Sequence, residues 1–367
     1  MAKKLASDRL LFGSVLLLAG TGLLMIYSAS SLQVYLPSSS APAGPYFFVF
    51  KQAIAVAVGG LLAFGAMSID YRRLNDVRVI GFLAVGGLAA LVGVLFRAPV
   101  NGARRWLALG FMSVQPSEFA KVALVIAVAA ILSRRENEIH LPTRALLPVV
   151  GVVAVPAGLV LLEPDFGTAF TFFVIAGAML FFAGLPLRWF LGSALLLVPT
   201  LSAWVWSAQY RRDRLMAFLH PEADPLGKGF HAIQSLIAVG TGGLTGLGLG
   251  EGKQKLFFLP YPYTDFIYAI VGEELGLVGC VAVLALFGLV FARGVRAAVN
   301  APDSFGRLLG IGLSVMIVAQ ALLNISVVLS LVPTKGIPLP FLSYGGSALW
   351  ADLLAVGILL NLSQHAS

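Results

Sequence analysis

The sequence predicts an all-α polytopic membrane protein of ten transmembrane helices, with a long extracytoplasmic loop between spans 7 and 8. Three observations carry that prediction. Of 367 residues, 59% are apolar and only 11% are charged, against about 25% charged in an average soluble domain. The apolar residues gather in charge-free runs, and crossing a bilayer takes about 20 residues. One long polar stretch, about residues 207–262, interrupts them. This composition excludes a cytosolic globular enzyme, a disordered chain and a collagen-like one. Residues 1–367 read as a single integral-membrane domain.

The runs place the spans at Leu10–Ser31, Gln52–Ile69, Val79–Phe96, Val122–Ser133, Ala145–Leu162, Phe166–Leu187, Trp189–Tyr210, Leu275–Ala292, Leu308–Thr334 and Gly336–Trp350. The first follows Lys3, Lys4 and Arg9 as a secretory leader would. Its apolar run exceeds the usual leader core of about 7–15 residues, so it is read as a retained span. The fourth run is too short to cross unless it reaches back and takes Glu118 and Lys121 into the membrane. An N-terminus on the cytoplasmic side collects thirteen of the 25 Lys and Arg residues there, in accord with the positive-inside rule. Arg97, Arg104, Arg105 and Lys335 then fall in short outer loops and suggest an anionic partner at the outer surface.

Several familiar chemistries fail on spacing. The glycine-rich stretch from Gly240 to Lys253 lacks the register of a phosphate loop, which needs Gly, four residues, then Gly-Lys-Ser/Thr. Tight turns and close backbone packing explain it better. His140, His220, His231 and His365 are scattered without zinc-ligand spacing. Cys280 has no second cysteine to pair with. Nothing in the chain calls for an organic cofactor or a nucleic acid.

Asp265 opens span eight after Pro260 and Pro262. It reads either as a helix-capping carboxylate or as a functional acid near membrane depth. Helical spacing of about 100° per residue brings Glu273 toward the same groove and turns Glu274 toward another helix. Arg104 and Arg105 offer the bidentate fork that suits a phosphate, and Glu163 and Asp165 are available partners for them. Trp106 suits an aromatic belt at the interface, and Glu118 with Lys121 forms an i,i+3 pair. Asp352 reads as an internal partner in the last span. The prolines and glycines of residues 333–347 would hold Lys335 over the bundle centre, since broken backbone at membrane depth must be buried in protein or line a wet cavity.

Taken in order, Asn101-Gly-Ala-Arg-Arg-Trp106, Gln115-Pro-Ser-Glu-Phe-Ala-Lys121, Glu163-Pro-Asp-Phe-Gly-Thr168, Gln234-Ser-Leu-Ile-Ala, Thr264-Asp-Phe-Ile with Glu273-Glu274-Leu-Gly, and Pro333 to Ser347 closely resemble the SEDS family of shape, elongation, division and sporulation proteins. The likeness covers nearly the whole chain and is nearer the division branch than the elongation branch. Tyr261, Tyr263 and His231 depart from that branch's usual residues. The resemblance implies ten helices in the bacterial cytoplasmic membrane with both termini cytoplasmic. It also implies a glycosyltransferase that polymerises lipid II, and a class B penicillin-binding protein (a transpeptidase) as partner among other division-complex membrane proteins. Carried over by motif, Asp265 is the catalytic residue, as general base or as holder of a divalent cation such as Mg or Mn. Arg104, Arg105, Trp106, Glu118, Lys121, Glu273, Lys335 and Ser343 are candidates for substrate binding. A flippase for the lipid-linked precursor and a non-catalytic scaffold for the transpeptidase are the competing readings. The apparent lack of an inverted repeat and the outward concentration of polar residues weigh against the first.

Overall fold

In a computed structural model, residues 7–31, 46–98, 103–109, 112–227, 229–256, 258–259, 262–333 and 336–365 are described. Lys3, Lys4, Asn101, Tyr261 and Lys335 lie outside the described residues. The chain is mostly helical. Its elements run α1 (Arg9–Ser30), α2 (Phe47–Ser68), α3 (Val77–Leu95), a two-stranded antiparallel hairpin of β1 (Leu107–Leu109) and β2 (Met112–Val114), and α4 (Pro116–Ser133). There follow α5 (Leu146–Leu162), α6 (Phe166–Phe182), α7 (Leu187–Trp206), α8 (Gln209–Leu219), α9 (Phe230–Thr241), α10 (Ile267–Val299), α11 (Ser304–Val328) and α12 (Gly346–His365).

Among the described residues, seven helices are long and apolar enough to cross a membrane: α1, α2, α3, α4, α10, α11 and α12. α4, α11 and α12 form the interior, and most of their side chains are buried. α3 fully buries only Leu91 and Val94, packs Ile80 and Leu83 against the core and exposes Phe82, Val85 and Val92, as a helix facing lipid does. Aspartates begin four helices. Asp8, Asp76, Asp165 and Asp303 each accept a hydrogen bond from a backbone N–H in the first turn, satisfying donors that have no partner within the helix.

The two ends of the bundle differ chemically. At one end the beginning of α1 meets the end of α12, where the Asp8 amide donates to Ser363 at 3.1 Å. Arg293 pairs with Asp8 at 2.6 Å, Arg307 with Glu136 at 2.5 Å and Arg72 with Asp303 at 3.3 Å. The connections α3–α4, α5–α6, α9–α10 and α11–α12 close the opposite end.

Three predicted spans are corrected. The last helix is Gly346–His365, not 336–350, because the apolar 336–345 stretch is a proline- and glycine-punctuated loop. Span eight begins at Ile267, eight residues before its predicted start, and draws Glu273 and Glu274 inside the helix. Span nine stops at Val328, not at Thr334. The 207–262 stretch holds helices α8 and α9, and Ser235 of α9 donates to the Val328 carbonyl at 2.7 Å.

α10 is two helices joined at Gly276, whose φ of 66° and ψ of −163° break the regular ladder. The glycine-rich loop repairs the break. Leu277 and Val278 donate to the carbonyls of Gly243 and Leu244 at 2.9 and 3.1 Å, and Leu247 and Gly248 donate to those of Glu273 and Glu274 at 3.0 Å each. That loop is a cap for interrupted helix, in keeping with the tight-packing reading of its glycines.

Candidate functional site

Asp265 sits two residues before α10, at the end closed by the α3–α4, α5–α6 and α11–α12 connections. It is no helix cap, since the N-cap position of α10 is Phe266 and no side chain caps that end. Burial pushes its carboxyl up to about 6, partly offset by Arg105 and reinforced by Asp165. Gly336 lies directly against it. A Cβ added there would stand 2.9 Å from Asp265 Oδ2.

Arg105 spans the site from the α3–α4 connection. Its guanidinium donates to the Glu163 carbonyl at 3.4 Å and to the Pro164 carbonyl, and it stands 3.7 Å from Asp165 Oδ2. Asp165 also accepts from the Thr168 hydroxyl at 2.9 Å and the Gln115 amide at 3.4 Å, so Arg105 is held by the α5–α6 turn, as the partner reading of Asp165 anticipates. Glu163 is fully buried, and burial first, then Asp165, raises its carboxyl to about 8 against the pull of Arg105. It therefore carries its proton at neutral pH.

Other predicted residues are spread around this centre. Arg104 turns away and donates to the Leu95 carbonyl at 2.9 Å, while Trp106 is 36% exposed ahead of β1. Glu118 and Lys121 form a buried ion pair at 2.7 Å inside the bundle, with Asp352 buried near them and lacking a hydrogen-bond partner among the described residues. Glu273 faces the glycine-rich loop, accepting from Lys253 N at 2.7 Å and Gln254 N at 3.1 Å. Glu274 turns to another helix, as its spacing implies, meeting Ser28 at 2.6 Å and Lys255 at 2.8 Å. Ser343 receives the Leu339 amide at 2.8 Å and donates to the Thr264 carbonyl at 2.6 Å, pinning the turn that carries Asp265.

The sequence reading missed three buried amides. Gln52 donates to the Ser343 carbonyl at 3.1 Å. Asn324 Nδ2 donates to the carbonyls of Asp265 at 2.8 Å and Ile337 at 2.7 Å. Gln320 donates to the Pro338 carbonyl at 3.1 Å and accepts from Lys121. The available signal was a pair of amides four residues apart in an apolar span, since polar side chains there bind other elements.

Among the described residues, no group of three or more His, Cys, Asp or Glu could hold a metal ion. Magnesium, however, is commonly held by one or two carboxylates together with substrate phosphates, and Asp265 beside Asp165 meets that lesser demand.

A bundle of membrane-length apolar helices, closed at one end over a half-buried acid and an arginine, defines a multi-pass membrane protein with a charged site at its mouth. The chain belongs to the FtsW/RodA/SpoVE family of cell cycle proteins, whose family model matches residues 8–367. It is 42% identical to a probable peptidoglycan glycosyltransferase FtsW of Trichlorobacter lovleyi, over 97% of this chain and 93% of that one. It is 40% identical to stage V sporulation protein E of Bacillus subtilis, over 99% of each. Among solved structures, it is similar to a chain described under "Structural coordination of polymerization and crosslinking by a peptidoglycan synthase complex", with a TM-score of 0.82, 32% identity and 99% of each chain covered. The rod shape determining protein RodA of Thermus thermophilus matches with a TM-score of 0.70 and 29% identity, over 99% of this chain and 98% of that one.

Proposed function

We propose that this protein is a peptidoglycan glycosyltransferase that polymerises lipid II at the outer face of the bacterial cytoplasmic membrane during cell division. The observation that carries the reading is the half-buried carboxyl of Asp265, raised to about 6 beside Arg105 at the closed end of the bundle. A general base works best with a pKa near the operating pH.

In this reading the 4-hydroxyl of the acceptor sugar attacks the anomeric carbon of the donor. The bond from that carbon to the diphosphate oxygen breaks, the hydroxyl proton passes to Asp265, and polyprenyl diphosphate leaves. Inversion at the anomeric carbon gives the β-linkage. Glycosidases need a second carboxyl to protonate a poor leaving group, whereas a diphosphate leaves once its charge is neutralised. Arg105, with a quarter of its side chain exposed, is placed for that task. In the alternative role Asp265 would hold a divalent cation with the diphosphate in place of taking the proton, and the cation would neutralise the leaving group. Arg104, turned to the Leu95 carbonyl, serves the α3–α4 connection instead.

The ten crossings comprise the seven long apolar helices with α5, α6 and α7. The end bearing Arg72, Arg134, Arg293 and Arg307 faces the cytoplasm by the positive-inside rule, and with it the beginning of α1 and the end of α12. The Asp265 end then faces outward, with the 207–262 stretch beside it. A class B penicillin-binding protein supplies crosslinking alongside this chain, a pairing supported by the likeness to a component of a complex for polymerization and crosslinking.

Reconstitution in liposomes with labelled lipid II and the partner transpeptidase separates the readings. Glycan polymer is the expected product. Transfer of lipid II between leaflets without polymer would instead make the protein a flippase, and neither product would leave it a scaffold.

A further inference from the structure

Asn324 and Gln320 lie one turn apart on α11, both 1% exposed, and address consecutive carbonyls of one loop. Asn324 gives one amide proton to the Ile337 carbonyl and the other to that of Asp265. Its orientation is fixed chemically, because two carbonyl oxygens demand a donor and only the amide nitrogen supplies two N–H bonds. Gln320 is equally constrained. Its oxygen accepts from Lys121 while its nitrogen donates to the Pro338 carbonyl. The result is a continuous chain from the buried Glu118–Lys121 pair of α4, through Gln320, to the loop, and through Asn324 to the backbone of Asp265. Gly336, the residue before the clamped pair, is the one that lies against the Asp265 carboxylate.

We propose that Asn324 and Gln320 are positioning residues that clamp the 336–338 loop over Asp265, so that the acid's seat and its shielding from water are set by α11 and, through Lys121, by α4. Neither side chain touches the reacting atoms. Each acts through the backbone that carries or covers Asp265. Catalysis is sensitive to such placement, since a displacement of about 1 Å costs on the order of 10²-fold in rate.

This inference rests on the role of Asp265 proposed above. The test compares wild type, Asn324→Ala, Asn324→Ser, Gln320→Ala and Asp265→Asn, each purified with the partner transpeptidase and assayed for lipid II polymerisation across pH. Asn324→Ala should lower kcat by on the order of 10²-fold with KM changed by less than about threefold, because the group acts on the transition state's base and not on substrate affinity. Asn324→Ser retains one donor and should fall between wild type and Asn324→Ala in kcat, with KM again nearly unchanged. Gln320→Ala should lower kcat in the same way at nearly unchanged KM. Loss of activity in proportion to loss of folded protein, or a rise in KM that matches the fall in kcat, would overturn the clamp, as would wild-type kcat in Asn324→Ala. If Asp265→Asn polymerises normally, the base itself is misassigned and the clamp falls with it. If that variant is inactive while kcat stays at the wild-type value in the folded Asn324 and Gln320 variants, the clamp alone is wrong.

Discussion

Asp265→Asn is expected to reduce glycan polymerisation by about 10²–10⁴-fold, the contribution of a positioned general base, while the protein stays folded and bound to its partner. The two halves of that expectation have separate causes. Asn keeps the size of the side chain and removes its ability to take a proton. The fold does not draw on the carboxylate, since the elements around Asp265 are tied by its backbone carbonyl to Asn324 and by the Thr264 carbonyl to Ser343. Removing a carboxylate held up near 6 by burial also relieves a desolvation cost. Strand formation on gels, with the thermal midpoint of the same preparations, checks both. Glycan synthesis near the wild-type rate would reject the assignment.

Gly276→Ala should have the opposite signature, a loss of folded protein. Its φ of 66° with ψ of −163° is backbone that non-glycine residues adopt at a cost of about 1–3 kcal/mol. A Cβ there would also meet Gly246 N at 2.3 Å and the Leu244 carbonyl at 2.6 Å. Relief requires the loop to withdraw and to leave the freed groups of a broken helix without partners, each worth several kcal/mol in an apolar setting. Gly288→Ala, on the same helix with nothing within 4 Å of its Cβ position, is the control and should be silent. Yield after detergent extraction and thermal midpoint measure the contrast, and equal behaviour of the two variants would show that the break is not structurally required.

The membrane class was legible because apolar runs and scarce charge admit few alternatives, and most helices coincide with those runs. Helix limits were less so. Residues 336–345 are as apolar as a span, yet Pro338, Pro340 and Gly345 make them a loop, while α12 continues through Asp352 and Asn361, polar residues that look like the end of a span. The break in α10 was hidden because regular helical spacing turns Glu273 toward the groove of Asp265, and only the folded loop shows that Glu273 instead accepts from the backbone amides of Lys253 and Gln254. The Glu118–Lys121 pair was readable from i,i+3 spacing, and Asp265 from an acid at membrane depth. Asn324 and Gln320 escaped because their partners are backbone carbonyls supplied by another segment, which no local pattern encodes.

The central claim, that Asp265 acts as the base, is tested most directly by the pH dependence of kcat/KM for lipid II polymerisation by the reconstituted complex. The base must be ionised to take the proton, and its carboxyl sits at about 6. The rate should therefore be level above neutrality and fall about tenfold per pH unit on the acid side, with no such limb in the residual activity of Asp265→Asn. A rate that stays flat from about pH 5 to about pH 8, or the same limb in both proteins, would contradict it.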